Sequence, residues 1–216
     1  MSGGELAVKT GNDGERMMKE FLKLIGWSNL SQNVTFLCSL GLKHKIKKSK
    51  SEKEDHNIDA TFYYDSPLNH DDTDIILCSS KHNQERYTDS NKAYSYLKEL
   101  AYSLECSLKD INFASKFENG EIKKKVFKGL LFWVSSNRDE HDYNMIGKIS
   151  DGLINEDEEK TENTIGKLKG INFDSIYLVD NRKATFIYSA IKTAQINNPL
   201  AIVQFLYPHT GLNNKT

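Results

Sequence analysis

The order of the elements that the sequence predicts indicates an α/β fold, a three-layer sandwich in which helices flank one central mixed β-sheet. Segments with helical and with strand periodicity follow one another as a helix, three strands, a second helix, and then further strands with a helix among them. Residues 126–135 form the most apolar strand of the chain and are predicted to be central.

Length and composition fit one globular domain spanning residues 1–216. Hydrophobic residues make up 38% of the chain and charged residues 27%, which excludes wholesale disorder. No apolar run approaches the roughly 18 residues of a membrane span, and the first residues lack the layout of a signal peptide. A net charge of -1 excludes a global basic signature, so any affinity for nucleic acid must come from local patches.

The cysteines and histidines show no metal-ligand spacing along the chain, and the six histidines do not group at zinc spacing. We therefore predict that Cys38, Cys78 and Cys106 are buried free thiols of a protein in the reducing cytoplasm. The phosphate-binding loop, the dinucleotide-binding glycine motif, the nucleophile elbow and the H-E-x-x-H motif are all absent. The sequence therefore gives no support to the mechanisms that depend on them.

The first predicted helix covers residues 14–25, with Asn12 or Asp13 as its N-cap, and residues 1–11 are predicted to be a loose lead-in. Glu15 lies in the first turn, close to the apolar stripe of this helix. A favourable interaction with the helix dipole explains that position by itself, and a role in a functional site is the alternative.

Three strands are predicted next, at residues 33–42, 56–65 and 73–82, and the last two fit a hairpin. In the second strand Ile58, Ala60 and Phe62 are expected on one face. Asp59 lies in the middle of that strand, where aspartate is disfavoured, so it is a candidate functional residue.

The third strand ends in Ser79, Ser80 and Lys81. Ser79 and Lys81 share a face, which suits a site at the rim of the sheet, although a strand that simply becomes solvated would look the same. Between the first two strands lies a lysine cluster that fits either a solvated loop or an arm contacting phosphates: Lys43, Lys45, Lys47 and Lys48.

The rest of the chain supplies further layers of the sandwich. A helix is predicted to start at Asp89 or Ser90, followed by strands at residues 126–135 and 173–179. A helix at 182–195 and a strand at 201–207 complete the domain, and the tail at 208–216 is predicted to be loose.

Glu15, Asp59 and the Ser79-Ser80-Lys81 strand end together form a candidate catalytic constellation. Two carboxylates and the main-chain carbonyl of Ser80 offer the oxygen ligands that Mg²⁺ prefers. Lys81 could hold or deprotonate an attacking water and offset the charge of a pentacovalent phosphate.

This arrangement resembles the PD-(D/E)xK nuclease superfamily, and more narrowly its restriction-endonuclease-like branch of Mrr-type and Holliday-junction-resolvase-like proteins. The segment G-N-D-G-E-R-M-M-K-E-F-L-K-L-I-G-W resembles the opening helix of that branch. N-I-D-A matches its aspartate strand and C-S-S-K-H its lysine strand, so residues 11–135 carry the resemblance.

The resemblance implies that Asp59 is the principal metal ligand, Lys81 the catalytic lysine and Glu15 an auxiliary ligand. Two positions before the lysine, where the family has an acidic residue, this chain has Ser79. Mrr-like proteins depart from the family pattern in a similar way, with glutamine at that position. The second carboxylate must then come from Glu15 or Glu85. Two residues just after the lysine strand are candidates for phosphate contacts, with a plain surface role as the alternative: Gln84 and Arg86.

The function that the resemblance implies is an endonuclease that uses Mg²⁺, with Mn²⁺ as a substitute, to hydrolyse DNA in prokaryotic defence against phage or plasmid DNA. A homodimer or a partner subunit is expected to supply substrate specificity and the cut in the second DNA strand. One alternative is a catalytically silent nuclease-like module for binding or assembly, which the Ser79 departure favours. Another is an RNase with the same site, because no residue is identified as reading the 2′-hydroxyl.

Overall fold

The computed structural model describes residues 3–45, 51–66, 69, 71–87, 90–117, 123–151 and 166–199. In these ranges one five-stranded mixed sheet has helices on both faces, which confirms the predicted α/β class. The strands are β1 (Ser31–Leu37), β2 (Asp55–Asp65), β3 (Asp72–Asn83), β4 (Lys124–Ser135) and β5 (Ser175–Val179), and the helices are α1 (Gly3–Leu24), α2 (Ser90–Ser107), α3 (Ile111–Ser115), α4 (Met145–Asp151) and α5 (Asn181–Asn197).

The sheet follows chain order, β1-β2-β3-β4-β5. β1 pairs with β2 and β2 with β3 in antiparallel fashion, so the predicted hairpin of β2 and β3 is present, whereas β3, β4 and β5 run parallel. β3 is the middle strand, and the very apolar β4 is an interior strand beside it rather than the centre. The predicted strand at 201–207 and the loose tail at 208–216 lie outside the described residues.

Two hydrophobic cores lie on opposite faces of the sheet. On one face α1 packs Met18, Phe21 and Leu22 against β3 and β4, and α5 contributes to the same core. On the other face α2, α3 and α4 cover the sheet, with Leu100 and Trp133 among the fully buried side chains. The helices therefore form the two outer layers of the predicted sandwich.

Helix α1 begins at Gly3, so the prediction of a loose lead-in at residues 1–11 is wrong from residue 3 onward, and Asn12 and Asp13 lie inside the helix instead of capping it. Four glycines in the first 14 residues lower the intrinsic helix propensity, which hid the start of the helix. Contact with the sheet stabilises this part of α1, since the Thr10 carbonyl oxygen lies 3.1 Å from Nδ1 of His82 on β3.

The close approach of α1 to the sheet depends on Gly14. A Cβ at this position would lie 2.7 Å from Cβ of His82 and 3.1 Å from Oγ of Ser80, which is closer than side chains pack. None of the helices in the described ranges combines the length and apolarity that crossing a membrane requires.

Cysteines and histidines that show no metal-ligand spacing along the sequence nevertheless meet in the structure. Cys38, His44, His56 and Cys106 place four potential ligand atoms within 4.8 Å of one another. These residues come from the end of β1, the turn that follows it, β2 and α2, so no linear spacing reveals them. All three cysteines are free thiols, as predicted; Cys78 and Cys106 are also fully buried, whereas Cys38 is only partly buried, so the prediction of burial is wrong for Cys38.

Candidate active site

The candidate site lies where β2 and β3 separate. The two strands pair from Asp65 opposite Thr73 to Ala60 opposite Cys78, and the next pair in that register would be Asp59 with Ser79. Instead, the carboxylate of Asp59 accepts a hydrogen bond of 2.6 Å from the main-chain N–H of Ser80. The side chain of Asp59 thus takes the place of a strand-to-strand hydrogen bond at the point of divergence.

The backbone of β2 is irregular at the same residue. Ile58 packs in the core beneath α2 and Ala60 in the core beneath α1, although residues two apart on a regular strand share a face. The prediction that Ile58, Ala60 and Phe62 share one face is therefore wrong. Asn33 on β1 lies opposite Asp59, but these two residues are not paired, although the residues on either side of them are. Asn33 has a φ of 50°, in the left-handed region. Such local breaks in strand pairing often lie beside active sites.

Several charges act on the Asp59 carboxylate, and their net effect is to raise its pKa. Burial is the largest cause, and the nearby carboxylate of Glu15 raises the pKa further. The Ser80 N–H, the charge of Lys81 and a hydrogen bond from the Ser79 hydroxyl oppose this shift. The pKa of Asp59 thus responds to each of the other residues of the predicted constellation.

Glu15 reaches this region from α1. Its carboxylate forms an ion pair of 3.2 Å with Lys19 one turn later, and the Lys19 ammonium also donates a hydrogen bond of 3.0 Å to Gln32 on β1. Both charged side chains are more than two-thirds buried, so solvent screens them only partly. A cleft of about 350 Å³ beside α1 is lined by Glu15, Lys19 and Gln32.

Lys81 extends toward the opposite face of the sheet from α1. Its ammonium lies 3.5 Å from the Glu99 carboxylate and 5.2 Å from the centre of the Tyr96 ring, and both residues belong to α2. The lysine is therefore held by an ion pair and a cation–π contact, and it is not the freely solvated strand end that the sequence also allowed.

The donor set around Asp59 fits a hard divalent cation. Asp59 and Glu15 supply carboxylate oxygens, and the main chain of Ser80 is adjacent to the Asp59 carboxylate. The buried hydroxyl of Ser80 has no hydrogen-bond partner among the described residues. A cation here would also remove the penalty that burial and like charge place on ionised Asp59.

The structure gives Lys43 a role that differs from the predicted phosphate contact. Its ammonium donates hydrogen bonds of 2.7 and 2.9 Å to the two oxygens of Glu105 and one of 2.8 Å to the Gly170 carbonyl, which uses all three of its donors. Lys45 is half-buried, and Lys47 and Lys48 lie outside the described residues.

The residues just beyond β3 are on the surface. Gln84, Glu85 and Arg86 are exposed on the bend that follows the strand, and Arg86 pairs with Asp139 at 2.9 Å. Glu15, in contrast, is close enough to Asp59 to raise its pKa. Of the two candidates for the second carboxylate, Glu15 is thus the one for which the structure shows an electrostatic link to Asp59.

Sequence reasoning missed Lys19, Glu99 and Tyr96. Lys19 could have been found from its spacing of four from Glu15, which brings the two side chains together on a helix. Nothing in the sequence indicates that Tyr96 and Glu99 face Lys81, because that contact depends on how α2 packs across the sheet.

Comparison with known proteins identifies a family for the chain. No curated protein and no solved structure shows significant similarity to the chain. The family model described as the GAPS4 protein PD-(D/E)XK nuclease domain matches residues 1–183, which include all five strands and every residue of the candidate site. The chain therefore belongs to this family of PD-(D/E)XK nuclease domains.

Proposed function

We propose that the chain is a metal-dependent endonuclease that hydrolyses phosphodiester bonds of DNA in the cytoplasm, as part of prokaryotic defence against phage or plasmid DNA. The observation that carries the proposal is the position of Asp59, whose carboxylate lies at the separation of β2 and β3 and responds to the charges of Glu15 and Lys81. Membership of a nuclease-domain family supports the reaction class.

Asp59, Glu15 and the main-chain carbonyl of Ser80 are the residues proposed to hold the metal. Oxygen donors of this kind suit Mg²⁺, and Mn²⁺ can substitute for it. When bound, the ion supplies Lewis acidity and makes a water more acidic. Lys19 neutralises part of the charge on Glu15 through their 3.2 Å ion pair, so the two carboxylates can approach each other before the ion binds.

Lys81 is the proposed catalytic lysine. It would orient or deprotonate the attacking water and offset the negative charge that develops on the phosphate. Glu99 and Tyr96 act as positioning residues because they hold the ammonium at the rim of the sheet, 3.5 Å from the carboxylate and 5.2 Å from the ring centre.

Ser79 replaces the usual acidic residue and, in this proposal, acts through Asp59. Its hydroxyl donates a hydrogen bond to the Asp59 carboxylate and lowers the pKa of that group, which favours the ionised form that binds metal. Glu15 then supplies the second carboxylate.

DNA contacts and partners extend the proposal. Lys45, Lys47, Lys48, Gln84 and Arg86 are the proposed contacts to the DNA backbone, and Arg86 would exchange its exposed pairing with Asp139 for phosphate. A second copy of the chain or a partner subunit would supply sequence or structure specificity and the cut in the second strand.

The test is a cleavage assay with double-stranded DNA, single-stranded DNA and RNA, each with Mg²⁺ and with Mn²⁺. We expect the wild-type protein to cut DNA, Asp59→Asn to show no cutting, and Lys81→Met to lose about 10²–10⁴-fold in rate. Asp55→Asn, an exposed aspartate at the start of the same strand, is the matched control and should retain wild-type activity.

If the protein cuts only RNA, the proposed substrate is RNA and not DNA. Undiminished cutting by Asp59→Asn would overturn the proposed site. The replacement of the acidic residue by Ser79 favours a second candidate function, a catalytically silent module that binds nucleic acid. Wild-type protein that binds DNA but cuts no substrate with either ion would establish that alternative.

A further inference from the structure

Four side chains that are far apart in the sequence meet beneath α2. Cys38 directly follows β1, His44 lies in the turn after it, His56 is on β2 and Cys106 is near the end of α2. One nitrogen or sulfur atom from each lies within 4.8 Å of the corresponding atom of the other three. His44, His56 and Cys106 are at most 2% exposed and Cys38 is partly buried, so three of the four ligands are shielded from solvent.

The distances among Cys38, His44 and Cys106 are those of a tetrahedral metal site. Around a zinc ion with bonds of about 2.3 Å to sulfur and about 2.05 Å to nitrogen, sulfurs are about 3.8 Å apart and sulfur and nitrogen about 3.5 Å apart. Here Sγ of Cys38 lies 3.8 Å from Sγ of Cys106. Nδ1 of His44 lies 3.3 Å from the first sulfur and 3.4 Å from the second.

Neighbouring side chains orient both imidazoles for metal binding. Nε2 of His44 lies 2.9 Å from the Glu105 carboxylate, and as the donor in that hydrogen bond it leaves Nδ1 free on the side of the sulfurs. Nδ1 of His56 lies 3.2 Å from the Ser103 hydroxyl, which already donates its own proton to the Glu99 carbonyl oxygen. Nδ1 of His56 is therefore the donor to Ser103, and Nε2 carries a lone pair.

Nε2 of His56 is buried and has no hydrogen-bond partner among the described residues. A buried polar atom without a partner costs free energy, so its position at a cluster of metal ligands requires an explanation. Burial also lowers the pKa of both imidazoles, to about 3 for His56, and the neutral ring is the form that binds metal.

We propose that Cys38, His44, His56 and Cys106 bind one structural zinc ion. Two sulfur and two nitrogen donors select zinc over magnesium, and ligand atoms within 4.8 Å of one another leave space for a single ion and not for an iron–sulfur cluster. Four protein ligands fill the coordination shell, so the ion has no open position for a substrate. This site is separate from the oxygen ligands around Asp59.

The zinc ion would join the end of β1, β2 and α2 at one point. The turn that contains His44 is also held by Lys43, whose ammonium binds Glu105 and the Gly170 carbonyl oxygen. Because His56 is only three residues before Asp59, this clamp would fix the part of β2 from which the candidate active-site carboxylate projects. The two thiols are not bonded to each other, since their 3.8 Å separation far exceeds the ~2.05 Å of a disulfide.

The first test measures metal content in the full-length protein after dialysis against stoichiometric zinc. We expect one equivalent of zinc in wild type and near zero in Cys38→Ser and in Cys106→Ser. Cys78→Ala removes a buried cysteine outside the cluster, and Asp59→Asn removes the oxygen site, so both should retain one equivalent. Loss of zinc from Asp59→Asn alone would place the ion at the other site and overturn the proposal.

The second test uses wild-type protein and does not depend on whether the variants fold. Cobalt substitution should give the intense visible bands of a tetrahedral ion and a thiolate-to-cobalt charge-transfer band. Zinc should slow alkylation of Cys38 and Cys106, and a chelator should restore it. An octahedral cobalt spectrum, equal alkylation with and without zinc, or a disulfide between the two cysteines in the purified protein would overturn the proposal.

Discussion

Two clusters of candidate metal ligands lie three residues apart on β2, at His56 and at Asp59, and they differ in chemistry and in access. The cluster around His56 offers sulfur and nitrogen from four side chains, three of which are at most 2% exposed. The cluster around Asp59 offers oxygen ligands, is only half-buried and has Lys81 beside it. A closed soft-ligand site suits fold stability, whereas an open hard-ligand site next to a cation suits reaction at a phosphate.

One strand carries residues of both clusters, and its facing changes at Asp59. Ile58 faces the core beneath α2, as His56 does, and Ala60 faces the core beneath α1. Asp59 lies at the change, where β2 leaves β3 and where the opposing Asn33 has a left-handed backbone. The irregularity that ends regular pairing thus also separates a proposed structural site from a proposed catalytic one.

The sharpest test of this comparison is to remove one cluster at a time. Asp59→Asn should abolish DNA cleavage, a loss of at least about 10³-fold, without lowering zinc content or the melting temperature. Cys106→Ser should lose zinc and melt at a lower temperature, because the binding free energy of a structural ion is part of the folding free energy. Zinc content, thermal melting and cleavage are measured on the same preparations. A zinc-free Cys106→Ser protein with unchanged melting temperature would contradict a structural role for the ion.

The second prediction concerns how α1 is seated beside the oxygen cluster. Gly14→Ala should lower the free energy of unfolding by about 1–3 kcal/mol, since the added Cβ would meet Cβ of His82 at 2.7 Å. It should also reduce cleavage, because the adjacent Glu15 moves with the helix. Zinc content should not change, since the sulfur and nitrogen cluster lies on the opposite face of the sheet.

Gly11→Ala is the matched control. A Cβ there meets nothing within 4 Å, so the substitution should raise stability by up to about 1 kcal/mol through helix propensity alone. The two variants are compared by denaturant titration. Equal effects of the two substitutions would show that close packing of α1 on β3 does not decide the position of Glu15.

The sequence was sufficient to indicate Asp59 and Lys81 as candidate site residues because their signals are local. An aspartate in mid-strand and a lysine at a strand end both violate the pattern of a buried strand, and such violations are visible without a structure. The class of fold, the order of the elements and the hairpin of β2 and β3 were predicted from periodicity for the same reason.

The sulfur and nitrogen cluster could not be predicted, because its four ligands are brought together only by tertiary packing. Cys106 is 62 residues from His44 and 68 from Cys38, on a helix that crosses the face of the sheet. The start of α1 and the change of facing at Asp59 were missed for a similar reason. Packing against β3 overrides the weak helix propensity of a glycine-rich segment, and a break in strand pairing leaves no periodic signal.

The third prediction addresses the residues that hold Lys81. Glu99→Gln should slow cleavage roughly 10-fold, because the Tyr96 ring still contacts the Lys81 ammonium. This loss is smaller than the ~10²-fold cost of displacing a catalytic group by 1 Å. The loss should be in kcat and not in KM for DNA. Asp65→Asn, which removes the carboxylate partner of Lys123 at the far end of β2, is the control and should leave kcat unchanged. A change in KM alone would assign Glu99 to DNA binding.

The smallest expected effect is on stability at the oxygen cluster in magnesium-free buffer. Burial raises the pKa of Asp59 in the folded protein above its value in the unfolded chain. Between these two pKa values the folded protein binds more protons than the unfolded chain does. Ionised Asp59 therefore destabilises the fold above the unfolded pKa of about 3.9, and this cost disappears as the pH falls below it. Asp59→Asn should raise the melting temperature slightly at pH 7 and less as the pH falls to about 4, and added Mg²⁺ should stabilise only the wild type. If Asp59→Asn melts at a lower temperature than wild type at every pH, the hydrogen bonds from Ser79 and Ser80 to the ionised carboxylate outweigh the cost of its desolvation. In that case relief of a buried charge is not what drives metal binding.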